Sequence, residues 1–132
     1  MQLEIVTPDR KVIIGETSDV VIPALQGELE ALPGHAPFLA LLGTGVLTFV
    51  HQGKQTRLMV SGGYVEIDRD RVTLMAEHAA LTDEVTREDA NKSLYDAEQK
   101  LKQLGAVSLE DESFTTLRAE VDRAAAKLTL IK

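Results

Sequence analysis

The sequence contains no cysteine and no tryptophan. Without cysteine there can be no disulfide and no thiolate metal site, and cysteine usage gives no hint of redox compartment. Aromatic residues make up only 4% of the chain, so aliphatic side chains must fill the core. Positive charge is also short: 14 Lys and Arg stand against 21 Asp and Glu, for a net charge of −7. That balance argues against nucleic-acid binding, which needs a basic face to neutralise phosphate. It argues equally against a polybasic membrane contact. The opening Met1-Gln2-Leu3-Glu4-Ile5 has no basic segment followed by an apolar one, so no signal peptide is expected and a cytoplasmic address follows by default. The most apolar stretch, Glu28 to Leu47, is broken by Pro33-Gly34, Pro37, Gly43 and Gly45. A membrane-crossing helix needs roughly 20 uninterrupted apolar residues, so this run neither spans a bilayer nor forms one continuous helix. Repeats, low-complexity tracts and a Pro/Ser-rich linker are lacking too.

What is present is a chain of 132 residues, 44% hydrophobic, enough for one ordinary domain or two small ones. Through Leu81 the apolar period is two. Leu3 and Ile5 alternate with Gln2 and Glu4, and Pro8-Asp9-Arg10 turns the chain into a short strand, Lys11–Ile14, that Gly15 should end. Asp19–Pro23 and Glu28–Leu32 are further strands. Between Leu32 and Pro37 the prolines should make a rigid surface corner, because their nitrogens cannot join a ladder. Phe38–Leu42, Val46–His51, Gln55–Ser61, Tyr64–Asp68, Arg71–Glu77 and His78–Leu81 complete the series, with Gly62-Gly63 expected to break one strand from the next. Many short strands with frequent turns indicate an antiparallel β-sandwich or flattened barrel.

After Thr82-Asp83-Glu84 the period changes. Ala90, Leu94, Ala97, Leu101 and Leu104 fall on one helical stripe, with Thr86 as N-cap and Gly105 as the terminating residue. Ser108 can cap a second helix, acidic in its first turn at Glu110, Asp111 and Glu112. Its stripe is Phe114, Leu117, Val121, Ala124, Leu128 and Ile131. The fold class is therefore a β-sandwich, residues 1–84, followed by an antiparallel α-helical hairpin, residues 85–132. The acidity sits on the first part: the two segments carry −6 and −1. Alanines along the seam limit the burial available to the hairpin, so it should be marginally stable alone and lean on the sandwich or on a partner.

Chemistry is hard to find. No G-x-x-x-x-G-K-[ST] phosphate loop exists, since Lys54 is followed by Gln55. Gly43-Thr44-Gly45 lies between strands and reads as a bend. His35, His51 and His78 show no metal-ligand spacing, and Ser61-Gly62-Gly63 is not a nucleophile elbow. His51 should be solvated at a strand end, and His78 should bond locally beside Glu77. His35 is either a corner histidine bonded to nearby backbone or a contact residue of the presented loop. Glu28 and Glu30 share a strand face and suit a charged edge that blocks aggregation better than paired acid–base chemistry. Arg118, Arg123 and Lys127 form either a solvated helix face, with Arg118 near Asp122, or a cationic surface for an acidic partner. No catalytic residue, metal or cofactor is expected.

Together, GELEALPGHAPFLALLGTGVL, the later SGGYVEI, the opening VTPD and the helical hairpin resemble the epsilon subunit of the bacterial F-type ATP synthase, called delta in mitochondria. The resemblance covers essentially the whole chain. It implies a non-catalytic rotor subunit of the central stalk, a peripheral protein at the cytoplasmic face of the membrane held there through the complex. The sandwich would bind the gamma subunit, and Glu28, Leu32, Pro33 and His35 would meet the polar loops of the c-ring. The hairpin would rest on the sandwich or extend towards the alpha-beta hexamer and impede ATP hydrolysis, with Arg118, Arg123 and Lys127 facing the beta subunit. Some members hold ATP through I-D-x-x-R-A at the start of the hairpin. Here that stretch is Val85-Thr86-Arg87-Glu88-Asp89-Ala90, so Thr86 replaces the acid and Asp89 the arginine. A carboxylate there repels phosphate, and weak or no ATP binding is expected. The rival reading is a small-ligand-binding or enzymatic β-sandwich with a helical oligomerisation tail. A freestanding dimer formed through the helical stripes is a third.

Overall fold

The computed structural model describes residues 1–104 and 112–132. Its strands are β1 (Gln2–Val6), β2 (Lys11–Glu16), β3 (Val20–Ala24), β4 (Gly27–Ala31), β5 (His35–Leu41), β6 (Thr44–His51), β7 (Lys54–Arg69) and β8 (Arg71–Leu81). A 3-10 turn, Thr82–Glu84, leads into α1 (Arg87–Leu104) and α2 (Glu112–Leu130). The order β-then-α is the one the change of period predicts. Gly105, Ser108, Glu110 and Asp111, expected to end one helix and start the next, lie outside the described residues.

The long hairpin β7–β8 organises the sandwich. One edge of β7 pairs first with β6, through Thr44↔Ser61, and then with β5, from Leu41↔Tyr64 onward. Its other edge follows β8 from Leu58↔Leu81 to Asp68↔Arg71. β1 runs parallel to the first half of β8 and carries β2, while β6 carries β3 and then β4. Each half of the hairpin therefore belongs to a different layer. The first layer is β2-β1-β8-β7-β5, and the second is β8-β7-β6-β3-β4.

The crossing point is Gly62-Gly63. A strand break is expected there, but the ladder to β8 resumes at Gly63↔Ala76 in the register it had at Ser61↔His78. Both glycines have positive φ, and a Cβ on Gly63 would overlap the Met75 carbonyl oxygen. Two residues in a conformation open to glycine re-aim the strand without ending it. β8 is likewise continuous through His78. β2 runs on through Gly15, which pairs with Leu3 in ordinary extended geometry. At the corner the turn is confined to Pro33-Gly34, where Gly34 has φ +83°. β5 already starts at His35, and Ala36-Pro37 are accommodated where the ladder slips between His35↔Arg69 and Phe38↔Ile67. A bulge is where a strand tolerates proline.

Between the layers lie Leu3, Ile5, Val20, Ile22, Leu47, Leu58, Val60, Val65, Ile67, Val72 and Leu74, all at most 1% exposed. These are the inward positions of period-two strands, and aliphatic side chains do fill the core. α1 packs on α2, and α2 makes the contact with β6 and β7. A second apolar cluster marks that contact: Met59 and Ala80 from the outer face of the second layer, Ala126 and Leu130 from α2, flanked by Val46, Val85 and Ile131. The hairpin thus leans on the sandwich. The anticipated stripe turns Ala124 towards α1, but Ala126 and Leu130, off that stripe, face the sheet. α2 has two apolar faces where one was expected, because Ala126 is too small to stand out in a periodicity.

Candidate functional site

Alternation sets two outer faces on the sandwich, and their fates differ. The outer face of the second layer is covered by α2. That of the first layer is bare among the described residues. In register across it run Leu41, Tyr64, Met75 and Val6, one from each of β5, β7, β8 and β1. Leu41 is 62% exposed, Tyr64 43% and Met75 42%. Leu39 and Leu25 lie beside Leu41 and are exposed as well. Between β5 and the β3–β4 turn these leucines and Phe38 line a shallow groove of about 370 Å³. Scattered apolar residues are ordinary on a surface, whereas a contiguous row in register across four strands marks a docking surface.

Sequence reasoning did not single out this row. Phe38–Leu42 is apolar at every position, so alternation cannot assign its faces. Tyr64 and Met75 do carry a signal: each is a large apolar residue at an outward position of an otherwise alternating strand.

The anticipated rim residues separate into two places. Leu32 and Pro33 lie at the corner with His35 beginning β5, and Leu32 is exposed. His35 Nδ1 lies 2.6 Å from the Ala36 carbonyl oxygen, and its ring meets Phe38 edge-on with centroids 6.2 Å apart. The local backbone bond is thus present, on a loop that is also presented. Glu28 is at the other end of β4, ~13 Å away by strand rise, on the rim of the Leu25–Leu41 groove. β4 is a sheet edge, and both Glu28 and Glu30 are exposed along it, as a charged edge requires. His51 is only half-exposed, with Nδ1 2.6 Å from the Glu16 carbonyl oxygen.

On the hairpin, Arg118 forms an i, i+4 ion pair with Asp122 at 3.4 Å, both exposed. Arg123 and Lys127 point elsewhere. They line the groove against α1, with Asp96 and Lys100, and also a cleft of about 430 Å³ beside β8, with His78 and Glu77. The three cations do not form one outward surface in this arrangement. His78 stays exposed, yet partial desolvation in this cleft lowers its pKa from the ordinary value, and the positive charge of Arg123 lowers it further; Glu77 opposes them.

The entry to the hairpin is pinned. Arg10, in the β1–β2 turn, donates from Nη1 and Nη2 to the two carboxylate oxygens of Glu84, each at 2.7 Å. Glu84 Oε1 also accepts from the Leu81 backbone N–H at 2.8 Å. The guanidinium, then that N–H, hold the Glu84 carboxyl down at about 2. Thr86 caps α1 as anticipated: the Asp89 N–H donates to Thr86 Oγ1 at 3.1 Å. Thr86 is thus engaged with backbone, and Asp89 brings a carboxylate to the same turn. Among the described residues no group of three or more His, Asp or Glu is placed to hold a metal ion. No helix among them is long and apolar enough to cross a membrane.

A sandwich of this topology, bare and apolar on one side and propping a helical hairpin on the other, defines a small assembly subunit. Residues 1–82 match the family model described as ATP synthase, Delta/Epsilon chain, beta-sandwich domain. The chain is 38% identical to the ATP synthase epsilon chain of Geotalea uraniireducens, over 97% of its own length and 91% of that protein's. It is 40% identical to that of Granulibacter bethesdensis, covering 92% and 95%. The same fold occurs in a chain of the Euglena gracilis mitochondrial ATP synthase, at TM-score 0.81 and 20% identity, covering 98% of this chain and 80% of that one. It occurs again in the central stalk and c-ring structure of the Tetrahymena thermophila enzyme, at TM-score 0.63 and 9% identity, covering 99% and 96%. The chain belongs to the ATP synthase epsilon chain family.

Proposed function

We propose that the chain is a non-catalytic rotor subunit of the central stalk of an F-type ATP synthase, at the cytoplasmic face of the membrane through the complex alone. The observation that carries this reading is the bare row Leu41–Tyr64–Met75–Val6. A face so apolar, on a chain with a separate and filled core, needs an occupant. In the family's assembly that occupant is the gamma subunit. The corner Leu32–Pro33–His35 and, one strand length away on the groove rim, Glu28 are offered to the polar loops of the c-ring. The subunit thus couples proton translocation to ATP synthesis by geometry, holding shaft and ring together.

Regulation belongs to the hairpin. Its contact with the sandwich is a small cluster with two alanines in it, so the hairpin can exchange that contact for the alpha-beta hexamer. Arg118, Arg123 and Lys127 then become available to the beta subunit, and ATP hydrolysis is impeded. The rival, a ligand-binding sandwich, requires a concave apolar site with converging polar groups. The interior is instead filled by side chains at most 6% exposed. The test is ATP hydrolysis by the assembled complex with and without residues 85–132. Faster hydrolysis after truncation supports the brake, and an unchanged rate removes it. A chain that neither binds gamma nor joins the complex overturns the rotor reading itself.

A further inference from the structure

Among the described residues, His78 is the one histidine that shares a cleft with α2. It sits on the outer face of β8, opposite Ser61, and lines the cleft that α2 roofs with Arg123 and Lys127. The other charged groups of the cleft are Asp9 and Arg10 from the β1–β2 turn and Glu77 from β8 itself. Arg10 is taken up by Glu84, so those two charges largely cancel. Asp9 accepts from Thr7 Oγ1 at 2.7 Å, which keeps it ionised. Behind Arg123 and Lys127, the groove against α1 adds Asp96, Glu120 and Lys100. What faces the imidazole from α2 is therefore two cations, with Glu77 as the carboxylate on its own strand.

We propose that His78 makes the resting place of the hairpin sensitive to acid: its imidazolium, sharing a cleft with Arg123 and Lys127, pushes α2 off the sandwich. With neutral imidazole the helix closes over β6 and β7 and the Met59–Leu130 cluster forms. Protonation places a positive charge beside Arg123 and Lys127, offset only in part by Glu77 and Asp9, and closure removes some of the water that the imidazole needs more when charged. Closure and protonation oppose each other, so each must weaken the other by the same factor. The sign follows from the lowered His78 pKa. The docked arrangement is fully favoured above the ordinary histidine value, about 6.5, and loses ground as pH falls below it. Under acid the subunit should release its hairpin. The inference concerns the packing of the isolated chain and does not depend on the rotor reading.

The test is amide exchange of α2 in the full-length chain between pH 7.5 and 5.0, with the intrinsic pH dependence of exchange divided out. His78→Gln, which keeps a polar side chain without the charge change, is measured in parallel. Wild-type protection of α2 should fall by about threefold or more, because the docked state holds the His78 proton less tightly than the free one. In His78→Gln the fall should disappear. An NMR titration of the His78 ring adds a direct readout: its midpoint should rise towards the ordinary value in Arg123→Gln/Lys127→Gln. An equal fall in wild type and His78→Gln, no fall in wild type, or a midpoint indifferent to both cations overturns the proposal.

Discussion

Replacing Leu130 by alanine should detach the hairpin while leaving the sandwich standing. Leu130 is 2% exposed and belongs to a cluster with Met59, Ala80 and Ala126 that is separate from the interior of the sandwich. Truncating a buried leucine costs ~2–5 kcal/mol, less where neighbours can settle into the gap. Here the neighbours are two alanines and a flexible methionine, and α2 can shift, so about 2–3 kcal/mol is the reasonable range. Because the lost contact joins α2 to β6 and β7, that energy comes off the docking equilibrium. At about 1.4 kcal/mol per tenfold, exchange of α1 and α2 amides should quicken by roughly 30- to 150-fold. Amides of β1, β7 and β8 should keep their wild-type rates. Native-state amide exchange on the full chain reads both. Equal acceleration in helices and strands would show that hairpin and sandwich open as one unit. An unchanged α2 would show that Leu130 is not its anchor. Either result refutes the two-part account.

Other substitutions separate the remaining roles. Gly63→Ala should destabilise the whole sandwich by several kcal/mol, since a methyl there overlaps the Met75 carbonyl oxygen and φ is +97°; denaturant unfolding measures it, and a near-neutral result would remove the crossing argument. Met75→Lys or Tyr64→Lys should leave the fold intact yet abolish binding to gamma, because a lysine on the bare row places an unpaired charge in the contact; unchanged co-purification would move the docking face elsewhere. Arg10→Gln should return the Glu84 carboxyl from about 2 towards the ordinary carboxylate range. The Arg10–Glu84 latch is present above that range and lost as pH falls towards 2, well below the histidine window, and carboxyl NMR titration follows it. ATP titrated into the isolated chain should show no saturable binding at micromolar concentration, because Asp89 stands where a cation is needed; calorimetry decides.

Much of the architecture is legible in the residues, and the exceptions have physical causes. The switch from period two to a helical stripe at Thr82 is correctly placed, as is the Thr86 cap, because both depend on local spacing. Gly62-Gly63 and Gly15 read as stops because glycine is the usual punctuation of a strand. Yet Gly63 serves a close approach to β8, and Gly15 simply sits in a ladder, and only the neighbouring strand reveals which applies. The corner is shorter than its prolines suggest because a bulge absorbs Pro37. At the candidate surfaces, Leu32, Pro33 and His35 are contiguous in sequence and remain together. Glu28 departs from them because one strand length intervenes. Met75 could have been found by asking which outward positions break alternation. Leu39 and Leu41 could not, since a run apolar at every position has no readable face.

The division of labour between the two faces follows from the β7–β8 hairpin. Both strands cross from one layer to the other, so each contributes an outward residue to both surfaces: Met59 and Ala80 beneath α2, Tyr64 and Met75 on the bare side. A hairpin of this length could have been buried on one side only, by a continuous sheet covered with helices. The glycine crossing prevents that, because it turns the apolar outward positions of the two halves towards opposite sides of the molecule. One side is then closed by a segment of the same chain, through a small contact that includes alanines. The other is left with larger side chains and no cover among the described residues. On the rotor reading proposed above, the contact that would be permanent is built from Leu, Tyr and Met, and the one that would be reversible from two alanines and Met59, with a single leucine as its anchor. Exchanging those strengths, by enlarging Ala126 where the sheet can admit it, should hold the hairpin down without altering the bare face.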